Sequence, residues 1–494
     1  MSTTSLDQSG SSRLRQAVLL ALGFALLRFW LAGRLDLAED EAYYWEWSRS
    51  LALGYYDQGP GLALAIKLGT WLLGPDEQGV RLLSVFSGFA VSALAAWICV
   101  AVFGMADMAL WVVLAFNGAL LFAVGGVMMM HDSLMALGWM GCLACGLLAL
   151  RRDPRWWLGL GLCAAWALLS KYTAVLLFGC LGLSFLALPG LRRQARTPWP
   201  WIGFALACLG GLPMLVWNAQ HGWPSFQHVG SLAGGDASRH RGLPWLEYLG
   251  SQAGLMTPLL WIICVAAWAW AARRWTRGRG DETERFVLLC SLPPALFFLL
   301  LSFHTRVEGN WPACAYLGGI LLGARWLRER HRGPGRLGAW AVGLAWGMSA
   351  LVFAQALHPF LPIPQRFSKA DAPARMAGWR ELGLRVAKER AAMGAGCFTA
   401  VRTYQNAAEL AFYQPGQERC VLVSESAPGN EYRFWDDYRA YLGRDAVIVT
   451  GQDWEIGAMR PHFSRVEALP DQVLTRNGVE VRRERLWRGY GYKG

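Results

Sequence analysis

Asp40 and Glu41 stand side by side at the start of "DEAYYWEWSRSLALGYYDQGP", and Asp57 follows on its Gly/Pro-rich turn. A carboxylate within hydrogen-bond reach of a hydroxyl serves as a general base. "MMMHDSL" sets His131 and Asp132 at the mouth of an otherwise apolar helix. "LLSKYTAVLL" leaves Lys171 between two apolar runs with no acid near it in sequence, so it needs an anion or a water-filled cavity unless it snorkels to an interface. "SFHTRVEGNWP" gathers His304, Arg306, Glu308 and Asn310 in one short loop. An ammonium and a guanidinium are natural partners for a phosphate, and Arg306 is a second candidate ligand beside Lys171.

These groups are held by a chain built for a bilayer. Of its 494 residues, 54% are apolar and only 17% are charged, and the mean hydropathy is +0.26. Apolar runs long enough to cross a bilayer core recur through the first 360 positions. They suggest about eleven spans, at 16–34, 80–103, 108–126, 133–150, 156–170, 173–189, 199–218, 248–271, 286–303, 312–324 and 337–357. Retention of the first run as a membrane helix is expected over cleavage as a signal peptide, since no small-x-small site follows it. The 27 tryptophans fit membrane interfaces.

The net charge of +12 does not point to nucleic acid, because arginines cluster in short gaps such as "RRDPR", "LRRQAR", "RRWTRGRGDETER" and "RWLRERHRGPGR". With the N-terminus inside, those gaps and the N-terminus hold 18 Lys and Arg, against 6 in the opposite gaps. The bias sets the gaps 36–79, 127–132, 219–247 and 304–311, with Lys171, on the outer side. After the proline-rich linker "HPFLPIPQRF" (358–367) the composition becomes mixed, with short β-like runs between helical ones. This predicts a membrane domain over 1–360 and a small outer α/β domain over 361–494. Cys397 and Cys420 fall in that tail and have the compartment to pair if it lies outside.

A helix beginning near Asp40 puts Tyr43, Tyr44, Trp47 and Leu51 on one face, with Glu46 and Arg49 pointing the other way. Such a helix could lie on the membrane with Asp40 as its N-cap. Asp132 has the same two readings, as a cap or as a functional acid.

Taken in order, "DEAYYWEWSRSLALGYYDQGP", "HDSLMALGWM", "LLSKYTAVLL" and "EGNWPACAYLG" resemble the landmarks of the polyprenyl-phosphate-sugar-dependent membrane glycosyltransferases of GT-C fold. That superfamily includes protein mannosyltransferases and aminoarabinose transferases. The resemblance covers roughly residues 15 to 325. It implies a mainly α, polytopic GT-C membrane domain with about eleven helices and a small C-terminal α/β extracytoplasmic domain. It implies Asp40, with Glu41 beside it, as catalytic base, and Tyr56, Asp57 and Gln58 near a polyprenyl-phosphate-linked sugar donor. Tyr43, Tyr44, His131, Asp132, Lys171, His304, Arg306, Glu308 and Asn310 complete the implied binding set, and Tyr44 and Trp45 are candidates to stack on the sugar or guide the lipid.

Aminoarabinose transferases carry an arginine shortly after the first acid and a lysine before the proline, where this chain has Tyr43 and Gln58. Donor phosphate binding then falls to Lys171 and Arg306, and the sugar is left open. The implied acceptor is a lipid or glycan of the envelope, such as lipid A or lipopolysaccharide, and the implied location is a bacterial inner membrane with the site and tail facing the periplasm. A flippase or transporter for a lipid-linked sugar is the competing class, but it predicts internal repeats that are not found here. A protein O-mannosyltransferase-like activity is a further alternative. No cofactor is implied with certainty. A divalent ion on Asp40, Glu41, His131 and Asp132 is left open, since none shows a diagnostic ligand spacing.

Overall fold

The computed structural model describes residues 8–233, 243–361, 372–423, 429–435, 438–476 and 479–494. Most of the linker at 358–367, and part of the gap at 219–247, lie outside the described residues. The chain forms two compact units, each discontinuous in sequence. The first holds Met1–Ala32, Leu53–Ala65 and Arg81–Leu351; the second holds Gly33–Ala52, Ile66–Val80 and Val352–Gly494.

Up to residue 357 the chain is helical. Its elements are α1 (Gln8–Ala32), α2 (Glu39–Arg49), α3 (Gly61–Leu73), α4 (Glu77–Trp97), α5 (Ala109–Gly118), α6 (Leu120–Gly125), α7 (His131–Arg151), α8 (Trp156–Ser170) and α9 (Leu176–Ala187). They continue as α10 (Pro189–Gln194), α11 (Trp199–His221), α12 (Pro224–Ala233), α13 (Pro244–Leu255), α14 (Pro258–Thr276), α15 (Glu282–Leu289), α16 (Leu292–Leu301), α17 (Ala313–His331) and α18 (Gly335–Leu357).

Among the described residues six helical stretches are long and apolar enough to cross a membrane, and α13 with α14 makes a seventh if that pair, bent by 107°, is one span. The protein is therefore a multi-pass membrane protein, but the expected eleven full spans are not all present as unbroken helices. The run 108–126 breaks at Ala119, whose ψ of 123° interrupts the helix between α5 and α6. The run 248–271 breaks at Thr257, where φ is +64° just before Pro258. Proline restricts its predecessor to non-helical backbone, and here that restriction bends the pair. The gap expected at 36–79 instead carries α2 and the apolar α3.

In the first unit the core is continuous around Trp139, Phe286, Trp268, Leu321 and Cys264. Helices α8 and α11 approach through small residues. A Cβ on Gly161 would come 2.3 Å from the Gly203 carbonyl oxygen, and one on Gly203 would meet the Trp157 carbonyl oxygen at 2.3 Å. Close backbone approach of this kind is how membrane helices gain packing where the lipid is as apolar as leucine.

In the second unit α19 (Ala372–Met376) and α20 (Trp379–Met393) precede β1 (Phe398–Val401), α21 (Tyr404–Tyr413), β2 (Val421–Leu422), α22 (Tyr432–Trp435) and β3 (Ala446–Thr450). Then follow α23 (Asp453–Met459), β4 (Phe463–Ala468), β5 (Gln472–Arg476) and β6 (Val479–Tyr492). The sheet runs β2-β1-β3-β6-β4, with β5 pairing β6. Strands β1, β2 and β3 are parallel and β6 is antiparallel to its neighbours, in register Phe398↔Ala446 and Val449↔Leu486. Phe398, Ile448, Met459, Phe463 and Tyr492 form a core beneath it. Cys397 and Cys420 are both buried and form no disulfide.

Candidate functional site

In the first unit the site grows from a break between two apolar helices. Helix α8 ends at Ser170, and Lys171 turns to extended backbone (φ −153°, ψ 134°) before a short 3-10 turn over Tyr172–Val175. The lysine is buried, and its Nζ lies 2.6 Å from Asp132 Oδ1. The anion that Lys171 requires is thus supplied by the protein, from a residue 39 positions earlier in sequence. The reason is desolvation, which makes an unpaired buried ammonium far more costly than a paired one. Asp132 lies in the first turn of α7, whose N-cap is Met130, so Asp132 is not the cap. Its other oxygen accepts from Asn310 Nδ2 at 2.7 Å. Among the described residues Asp132 is the protein partner of the ammonium, which has three donors to give.

Around this centre the other landmarks converge. His131 Nδ1 lies 2.9 Å from the Ser170 carbonyl oxygen. The Tyr172 amide donates to Gln58 Oε1 at 3.0 Å, tying the "DQGP" turn to the residue after Lys171. Gly59 and Gly61 are needed there, because a Cβ on either would come within 2.8 Å of Leu169 backbone. Asp57 Oδ1 lies 3.7 Å from His228 Nε2, and the Tyr56 ring centroid lies 5.1 Å from that imidazole.

Three groups here were missed from sequence. His228 sits beyond the expected motifs. Gln252 donates to the Gly309 carbonyl at 2.9 Å and accepts from the Tyr316 hydroxyl at 2.9 Å, fixing the loop of Asn310. Arg28, buried in α1, donates to the Phe122 carbonyl and lines a cavity of about 40 Å³ that Asp132 and Ser133 also border. An arginine inside "GFALLRFWLAG" was the one signal available for it.

Not every expected group joins. Arg306 is exposed and pairs with Glu247 at 3.2 Å and Glu308 at 3.8 Å, and His304 is exposed as well. No group of three or more His, Cys, Asp or Glu among the described residues is arranged to hold a metal ion.

In the second unit α2 carries the acids. Ala38 is its N-cap, and Glu41 Oε2 accepts from the Ala38 amide at 3.0 Å, so Asp40 is not the cap. Burial pushes the Asp40 carboxyl above the ordinary range, Arg375 opposes this, and Glu41 adds to it. Burial likewise raises Glu39, whose Oε2 lies 3.9 Å from Arg375 Nη1.

Glu46 belongs to the face expected opposite Tyr43, Tyr44 and Trp47. It is fully buried and pairs with Arg49 at 2.8 Å and Arg419 at 2.9 Å. Protein covers the face that a membrane-surface helix would leave open to water. Tyr43 and Trp45 are buried as well. The Tyr43 hydroxyl accepts from the Glu431 amide at 2.7 Å, and the Trp45 ring packs edge-on to Phe412. Of the aromatic candidates on this helix only Tyr44 is half-buried.

Known proteins supply the context. A family model for dolichyl-phosphate-mannose-protein mannosyltransferases matches residues 57–217. The chain is 27% identical over 397 residues to the lipid A galacturonosyltransferase RgtD of Rhizobium johnstonii, covering 77% of this chain and 78% of that one. Its fold matches crystal structures of ArnT from Cupriavidus metallidurans, apo and bound to undecaprenyl phosphate. The TM-scores are 0.65 and 0.67 at 15% and 16% identity, over 95% of this chain and 97% of ArnT. The chain has the fold of ArnT, and its similarities support a glycosyltransferase. The glycosyltransferase therefore carries two groups of polar residues to be given roles, the Lys171–Asp132–Asn310 cluster in its first unit and the acids of α2 in its second.

Proposed function

We propose that this glycosyltransferase moves a sugar from a polyprenyl phosphate to lipid A, or another envelope glycan, at the periplasmic face of a bacterial inner membrane. In this reading residues 1–360 are the catalytic membrane domain and 361–494 the periplasmic domain. The observation that carries it is the similarity to a lipid A galacturonosyltransferase over 77% of the chain. The undecaprenyl phosphate held by ArnT supports a donor of the same chemical class.

Asp40 takes the proton from the acceptor hydroxyl as that oxygen attacks the anomeric carbon. The bond from the anomeric carbon to the phosphate oxygen breaks, and the polyprenyl phosphate leaves with the electron pair. A single displacement inverts the anomeric centre. Lys171, steadied by Asp132 and Asn310, supplies fixed positive charge toward the leaving phosphate. Arg306 is the exposed cation of the loop that carries Asn310 and meets the phosphate as the donor enters. In the second unit Glu41 and Tyr44 are proposed substrate contacts; in the first unit Tyr56, Asp57, Gln58 and His131 are, with Gln58 anchored to the Lys171 segment.

The test is mass spectrometry of lipid A and other envelope glycans from cells with and without the protein. A hexuronic acid or other sugar lost from lipid A on deletion is the expected result, and unchanged lipid A and glycans would end this reading. The match to a mannosyltransferase family model over 57–217 favours a second reading, a protein acceptor. It predicts instead that glycopeptides change.

A further inference from the structure

We propose that the C-terminal ends of α14 and α17 form a binding site for the phosphate headgroup of an anionic diacyl phospholipid, apart from the Lys171 cluster. Its observations all lie within the first unit. A cavity of about 470 Å³ opens between the two helix ends. Arg273 and Arg274 line it from the last turn of α14, Arg277 and Arg279 from just beyond, and Arg330 from the last turn of α17. Glu329 is the one carboxylate among its lining residues. Helix α17 rises about 28 Å over its 19 residues, close to the roughly 30 Å hydrocarbon core of a bilayer. Asn310 precedes its first turn and Arg330 belongs to its last. The cavity and the Lys171–Asp132–Asn310 cluster therefore belong to opposite ends of α17.

Most of the positive charge in this cavity is uncompensated. Arg274 is engaged, with Nε 3.1 Å from Glu284 Oε1 and Nη1 3.1 Å from Glu329 Oε2. Arg325 shares Glu284 at 3.0 Å, so these pairs brace α14, α15 and α17 against one another. Among the described residues no carboxylate pairs with Arg273, Arg277, Arg279 or Arg330, and all four are exposed. Two helix C-termini carry together about one negative charge, less than four guanidinia supply. A guanidinium fork matches phosphate oxygens bidentately, so the surplus suits a phosphate.

The surroundings favour a lipid over a free anion. On α14 Ile262, Val265, Ala269 and Arg273 are all exposed and share one face. This apolar stripe runs along the helix into the cavity, whose wall includes Ala266 and Ala269. Arg274 lies over the Trp270 ring at 4.8 Å and Arg330 over the Trp326 ring at 4.9 Å. Tryptophan rings favour the headgroup level of a bilayer. The walls are held close, since a Cβ on Gly323 of α17 would come 2.9 Å from Ile263 Cγ2 of α14. An acyl chain fits the stripe and a phosphate the arginines, whereas a free phosphate would use only the second. The positive-inside rule expects these helix ends at the cytoplasmic leaflet, where basic pockets between membrane helices take anionic headgroups.

The test is native mass spectrometry of the full-length protein in dodecyl maltoside, titrated with phosphatidylglycerol or phosphatidylcholine. Phosphatidylglycerol should bind more tightly, because the choline cation offsets the phosphate that the two lipids share. Each arginine near a membrane surface is worth about fivefold in affinity, so Arg273→Gln, Arg277→Gln and Arg330→Gln combined should weaken phosphatidylglycerol about a hundredfold. Ala269→Trp fills the cavity, keeps every charge and alters an exposed position, and should weaken it at least about tenfold. Equal binding by wild type and the triple variant would overturn the proposal, as would phosphatidylcholine held as tightly as phosphatidylglycerol. Unchanged binding by Ala269→Trp would overturn it too, since the arginines would then attract lipid without the cavity. Inorganic phosphate that displaces phosphatidylglycerol at equal concentration would make this a site for soluble anions instead.

Discussion

Lys171 and Asp132 are a buried ion pair in a helix break, and removing one partner strands the other. Lys171→Ala should weaken donor affinity and also cost about 3–5 kcal/mol of stability, read as lost Tm and poorer insertion. The double variant Lys171→Met with Asp132→Leu separates the two effects. It should regain most of the stability while donor binding, measured with undecaprenyl phosphate, stays lost; recovered binding would remove the phosphate role. At Asp40 the expectation is simpler. Asp40→Asn keeps the shape of the side chain, so the protein should insert and fold while transfer disappears. Lys171 stood out in sequence because a lysine among apolar residues has no cheap explanation. Its partner did not, since the two residues are 39 positions apart on different helices.

At the scale of elements, the glycine contact between α8 and α11 bears directly on the site, because α8 ends where Lys171 begins. Gly203→Ala places a methyl 2.3 Å from the Trp157 carbonyl oxygen, and the helices must separate to accept it. A loss of about 1–3 kcal/mol is expected, seen as a lower Tm in detergent, with activity falling alongside because the Lys171 turn shifts with α8. An unchanged Tm would mean that the helices already have slack. Apolar runs located most of the helices from sequence. The breaks at Ala119 and Thr257 were not legible in the same way, because hydropathy averages over a window and a single backbone dihedral does not alter it.

For the whole molecule, charge bias and a buried acid make two separate predictions. The positive-inside rule expects the arginine-rich gaps to face the cytoplasm. Thr276→Cys should therefore resist a membrane-impermeant maleimide until the inner membrane is broken, and Leu384→Cys should label before; the reverse pattern would invert the orientation. In the second unit Glu484 is buried, and burial raises its carboxyl to about 7, with Arg482 opposing and Glu455 adding to the rise. An unfolded glutamate titrates near 4.3, so between about pH 4.5 and 7 the folded state binds more protons than the unfolded one. Stability should then fall as pH rises through that window. Glu484→Gln should flatten the fall in a Tm-against-pH series, and an unchanged slope would refute this role.

The sequence by itself determined that this is a membrane protein with a mixed tail, which of its polar residues are out of place, and their order along the chain. Those follow from local quantities: apolar run length, arginine in short gaps, and charge where it is expensive. Tertiary structure alone decided partnerships. It paired Lys171 with Asp132, joined Gln58 to Tyr172, buried Glu46 against Arg419, and brought Tyr404 against Tyr43 across more than three hundred residues. A desolvated charge must find a partner, but which residue answers depends on how the helices and the sheet pack. No local window of sequence carries that.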